Sequence, residues 1–197
     1  MQGNEATARQ VLRETRAWVR HAVIGLNLCP FAKAPQSRER IRYIVTGATT
    51  TEALLEALGE ELAHLVACDE TEVETTLLIH PWVLDDFLVF NDFLGAGDAL
   101  IADADLQGVI QLASFHPRYQ FADTHADDPG NATNRSPYPT LHLLRESSVA
   151  RAVEAFPDTD AIFTANIDRL ERLGSEGWSR LQRLCRDEAA SATEGDA

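Results

Sequence analysis

Residues 40–81 read RIRYIVTGATTTEALLEALGEELAHLVACDETEVETTLLIHP, and their pattern decides the fold class. The opening RIRYIVTG is rich in β-branched and aromatic residues, the composition of a strand. Residues 49–66 then change to a helical period: Leu54, Leu58, Leu62 and Leu65 recur on one face, and Thr49 with Glu52 has the spacing of a capping box. ETTLLIHP closes the unit as a second strand. A strand, a helix and a strand in this order predict parallel neighbours joined by a right-handed crossover.

The same alternation extends in both directions. Upstream, Val11, Thr15, Trp18 and Ala22 share a helical face, with Arg13, Arg16 and Arg20 on the other side. Gly25 is expected to end that helix in a left-handed turn. Downstream, residues 82–105 predict a helix with Val83, Phe87, Phe90, Leu94 and Ile101 on its apolar face, weakened at Gly95 and Gly97. GVIQLASFHP is a third strand, TLHLLRES a fourth and SVARAVEAF a short helix. Two further helical pieces are divided by Gly174, and Cys185 shares a core face with Trp178 and Leu181. The expectation is one α/β domain over residues 1–187, with a mainly parallel sheet of about four strands flanked by helices, followed by a disordered tail over 188–197. A ferredoxin-like α+β sandwich is the competing architecture.

Composition restricts the function classes. The 197 residues are 45% hydrophobic and 24% charged, enough for one large domain with its own core. A net charge of −14 repels phosphate backbones and anionic membranes, which argues against nucleic acid and membrane partners. Cys29, Cys68 and Cys185 are too few and too scattered for a disulfide framework and suit a reducing compartment. The first residues have neither the basic start nor the apolar run of a signal peptide, so the chain reads as cytoplasmic.

Three segments run apolar and then place a reactive side chain directly before proline: Cys29 in GLNLCP, His80 in TLLIHP and His116 in LASFHP. A residue before proline is pushed towards extended geometry. At the carboxyl end of a strand it would sit at the sheet edge where α/β proteins bind ligands. If the second and third strands are neighbours, His80 and His116 emerge side by side. The connection that follows, within residues 114–145, is long, polar and aromatic, which suits an ordered functional loop.

Three chemistries fit. His80 and His116, with His142, Cys29 or a loop aspartate, offer ligands for zinc or iron. Cys29 beside an imidazole would be a nucleophile. Arg118 and Arg135, with Asn131 and Asn134 and with Tyr119 and Tyr138, would hold an anionic substrate while His116 moves protons. Against each stands a plainer role: strand-capping histidines, a buried thiol, and arginines that staple the loop by pairing with Asp123, Asp127 and Asp128. Asn91 lies at the border of an apolar helix face that would reach the site or merely be wetted. No phosphate-loop or dinucleotide motif is present, so no nucleotide cofactor is expected.

Taken together, VIGLNLCPFA, ETTLLIHP, FNDFL, GVIQLASFHPRYQFADT, TNRSPYPTLHLLRE and NIDRLERLG resemble a bacterial family, the domain of unknown function 1415. The resemblance implies a single soluble bacterial domain and brings no reaction or catalytic residues with it. The residues themselves predict a small enzyme, a hydrolase among the options, acting on a polar or anionic small molecule at a His-centred site with or without a metal. The alternative is a non-enzymatic module that binds a small ligand or a protein through the ordered 114–145 loop.

Overall fold

A computed structural model describes residues 2–155 and 159–192. Four strands, β1 (Ile41–Val45), β2 (Thr75–Ile79), β3 (Ile110–Phe115) and β4 (Thr140–Arg145), form one sheet in the order β1-β2-β4-β3. β1 and β2 are parallel, while β4 runs antiparallel to both β2 and β3. The sheet is therefore mixed, not mainly parallel. The reason is the connection between β3 and β4. It contains no crossover helix, so the chain leaves β3 and returns to the same edge of the sheet, and its next strand must run the other way. This return also puts β4 between β2 and β3, which are not neighbours.

Helices α3 (Thr51–Ala67) and α4 (Phe87–Asp103) cover one face of the sheet. Leu54, Leu58, Leu62 and Leu65 are all buried there against Leu78, Leu141 and Leu143, as the heptad-like leucine spacing requires. The cap of α3 is Thr50, one residue later than the capping-box spacing suggests: its hydroxyl accepts from the Ala53 N–H at 3.2 Å. α4 begins at Phe87 because the Asp86 carboxylate caps the Leu88 and Val89 amides. It runs unbroken through both glycines. Gly97 is needed for proximity: a Cβ there would lie 2.8 Å from Leu112 Cδ2 and 3.4 Å from Leu58 Cδ2.

The other face is covered by α1 (Gln2–Trp18), by its continuation as a π-helical turn (Val19–Ile24), and by α6 (Thr159–Ser191). Trp18, Ala22 and Cys185 pack there with Leu77, Tyr43 and Phe115. Helices on both faces exclude the ferredoxin-like sandwich, whose helices share one face. Gly25 is not left-handed (φ −64°); Asn27 takes that role at φ 49°. Gly25 is required by crowding, since a Cβ would lie 2.3 Å from the His21 carbonyl oxygen. The break in α6 falls at Gly174 (φ 66°), as its spacing predicts. α6 then continues to Ser191 with Ala189 buried, so the ordered chain runs past residue 187; residues 193–197 of the expected tail lie outside the described residues. Two short helices, α2 (Lys33–Ser37) and α5 (Glu146–Ala155), complete the chain. Among the described residues no helix is long and apolar enough to cross a membrane.

The two glycines of α4 should separate in a stability assay. Nothing lies within 4 Å of a Cβ at Gly95, so Gly95→Ala gains helix propensity and raises unfolding free energy by about 0.5–1 kcal/mol. Gly97→Ala forces Leu112 to move and ends up less stable than Gly95→Ala in urea melts.

Candidate functional site

His80 and His116 both follow the carboxyl ends of their strands, and both turn towards α4. Their rings stack on Phe90, at centroid distances of 5.6 Å and 5.1 Å. Both are fully buried. The structure thus brings them to one aromatic residue even though β4 separates their strands. Their hydrogen bonds fix what they do. The His116 Nδ1 accepts from the Arg118 N–H at 3.0 Å, so the proton is on Nε2, which donates to the Leu84 carbonyl at 3.2 Å. Both ring nitrogens are occupied and the ring is neutral. His80 donates from Nδ1 to the Val83 carbonyl at 3.0 Å; its Nε2 is buried with no partner among the described residues. Burial lowers the His80 pKa to about 4 and moves that of His116 down as well.

His142 is not with them. It stands on the opposite face of the sheet, against Phe115, and donates from Nε2 to Thr75 Oγ1 at 2.7 Å while that hydroxyl donates to the Leu143 carbonyl. Burial lowers its pKa to about 4. Among the described residues no three His, Cys, Asp or Glu side chains converge on a point, so the donor set His80, His116 and His142 is not assembled. Cys29 lies on the face away from the two histidines, packed against the cluster of Trp18, Ala22 and Cys185. Burial pushes its thiol up, the direction opposite to that of an activated nucleophile.

The long connection is held from within. Asn131, fully buried, accepts on Oδ1 from the Phe121 N–H and the Thr124 hydroxyl, and donates from Nδ2 to the His125 carbonyl. Arg135 donates to the carbonyls of Tyr119 and Ala126, and Arg118 to that of Asp85. The arginines therefore staple the loop through backbone oxygens, not through Asp123, Asp127 or Asp128. Tyr119 packs between Phe87 and Phe121. The Asn134 carbonyl accepts the His116 N–H at 3.1 Å, and Asn91 is exposed on α4.

Two of the expected residues, Arg135 and Tyr138, do meet at a cleft of about 260 Å³. It opens beneath the returning end of the loop, on the sheet face covered by α1 and α6. Pro117, Ser136 and Pro137 join them from the loop, Glu14 and Trp18 from α1, and Trp178, Leu181, Gln182, Cys185 and Arg186 from α6. Pro117 and His116 thus part at the strand end: the ring goes to the α4 side and the proline to the cleft. Tyr138 donates from its hydroxyl to Glu14 Oε2 at 2.8 Å, and burial followed by this bond holds the phenol well above its ordinary pKa. The Trp18 indole N–H is buried without a partner among the described residues. Glu14, Trp18, Trp178 and Arg186 were not readable as a site. A signal existed for one of them: Glu14 falls between Val11 and Trp18 on the apolar stripe of α1, where a carboxylate is out of place.

The family model for DUF1415, a protein family of unknown function, matches residues 10–180. The chain belongs to this family. The match includes both histidine–proline motifs, the NRSPYP segment and the Glu14–Trp18 turn, so the loop and α1 walls of the cleft fall within it. No curated protein and no solved structure matches the chain.

The buried histidines set an acid limit to stability. The unfolded chain takes up protons near pH 6.5 and the folded His80 only near 4, so stability is complete above about pH 6.5 and is lost as pH falls through that interval. His80 alone removes roughly 3 kcal/mol by pH 4. His80→Asn, whose amide can still donate to the Val83 carbonyl, should flatten the acid limb of a stability–pH curve measured by urea melts between pH 4 and 6.5.

Proposed function

We propose that the protein takes a small anionic molecule into the cleft between α1, the 135–138 segment and the second half of α6. The observation that carries this reading is a set of unfilled donors in one place. Among the described residues the buried Trp18 N–H has no acceptor, Arg186 makes no ion pair, and Arg135 uses only Nε and one terminal nitrogen on carbonyls. A guanidinium carries five N–H groups, so Arg135 keeps donors to offer. In a chain of net charge −14, two guanidinium groups on one cleft focus anions that the rest of the surface repels. The volume is slightly below the roughly 300–1,000 Å³ of sites for drug-sized ligands, which suits a small metabolite.

The Tyr138–Glu14 hydrogen bond fixes a phenol and a carboxylate at the ligand's edge, where both can position a polar group of the ligand. The two histidines support this site from behind, by fixing the chain on either side of it.

Two of the three tryptophans line the cleft, so occupancy should change intrinsic fluorescence. Titration with inorganic phosphate, citrate and small mono- and dicarboxylates is expected to give saturable quenching with at least one of them. Arg186→Gln should weaken that binding by about tenfold or more. An unchanged affinity in Arg186→Gln, or no response to any of these anions or to any other carboxylate-bearing small molecule, would overturn the reading.

A further inference from the structure

We infer that the ligand is a zwitterion of amino-acid size, with its acid group on Arg135 and Arg186 and its ammonium group on Glu14. This rests on the anion reading above and adds the second charge. Glu14 is only 8% exposed, yet no Lys, Arg or His forms an ion pair with it among the described residues. Its two hydrogen bonds come from neutral donors: Gln10 Nε2 to Oε1 at 2.9 Å and the Tyr138 hydroxyl to Oε2 at 2.8 Å. A carboxylate has about four acceptor positions, so one on each oxygen is left over. Burying a carboxylate without a cation is costly, and a group left so is waiting for one.

The same cleft presents the guanidinium groups of Arg135 and Arg186, and neither pairs with Glu14. Opposite charges line one small cavity with no ion pair between them among the described residues. A simple anion would satisfy the arginines and meet repulsion from Glu14. A simple amine would do the reverse. A molecule with both charges, a few bonds apart, satisfies both ends at once. Trp18, Trp178, Leu181 and Pro137 leave apolar wall between the charged groups, which suits an aliphatic or aromatic side chain.

The test compares matched trios on the unmodified protein by calorimetry and tryptophan fluorescence. Leucine, methionine, phenylalanine and tyrosine are each set beside the deaminated acid and the decarboxylated amine. At least one amino acid should bind tenfold or more tightly than both of its counterparts. Glu14→Gln should remove the advantage over the deaminated acid and leave that acid's own affinity unchanged or improved. Deaminated acids that bind as well as their amino acids would overturn the zwitterion while leaving the anion site standing. The same holds if phosphate or citrate binds and none of the amino acids does. Silence from every amino acid and every anion would overturn both. The trio comparison needs no substitution, so it stands even if Glu14→Gln fails to fold.

Discussion

His116 ties together the three segments on which the rest of the edge depends. Its backbone N–H donates to Asn134, its Nε2 to Leu84, and its Nδ1 accepts from Arg118. Those contacts join the end of β3, the turn that leads into α4, and the end of the long connection. The two ring contacts together require the neutral Nε2–H tautomer. A charged ring would have a proton on both nitrogens and would lose the Arg118 contact. Leu84, whose carbonyl meets the ring, adopts φ 60°, a backbone conformation that a leucine rarely takes, so the turn bears strain that these bonds hold in place. With the chain fixed there, Pro117 and the 135–138 segment have a defined position over α1.

Strands and helices were readable because each follows a period that burial imposes. The leucines of α3 and the apolar runs of β2 and β3 leave little choice. Strand order was not readable, because nothing in TLHLLRES records which edge of the sheet the preceding connection returns to. The pre-proline positions of His80 and His116 rightly indicated the carboxyl ends of strands. They could not indicate which way the rings turn, since this depends on carbonyls at Val83 and Leu84 in a turn with no regular pattern. The site residues from α1 and α6 were hidden for a related reason. A residue such as Arg186 looks like any exposed helical arginine until the fold puts it beside Tyr138 and Glu14, more than forty and a hundred positions away in sequence.

Charge usage gives the unpaired groups their meaning. The chain has 17 basic residues against 31 acidic ones, so cations are scarce. Most of the arginines that can be followed are committed to internal partners. Arg42 pairs with the buried Glu61 at 2.7 Å, Arg20 with Glu188, and Arg145 gathers the carbonyls of Leu65, Cys68 and Val73 where α3 ends. Against that background a guanidinium with no such commitment, on the wall of a cavity that also holds a buried carboxylate, is informative in a way it would not be on a basic protein.

The place of β4 has a consequence for how the chain is made. It is the last strand in sequence and sits inside the sheet, paired on both sides. While the ribosome works from the end of β2 at Ile79 to the end of β4 at Arg145, β2 lacks its second neighbour and β3 has none. At ordinary rates of synthesis that interval lasts about 3–13 s. An unpaired β2, buried along its whole length in the finished sheet, is an edge that invites foreign strands. The nascent protein should therefore depend on chaperone shelter until its final third emerges, and a chain truncated before residue 140 should aggregate instead of forming a smaller version of the same sheet.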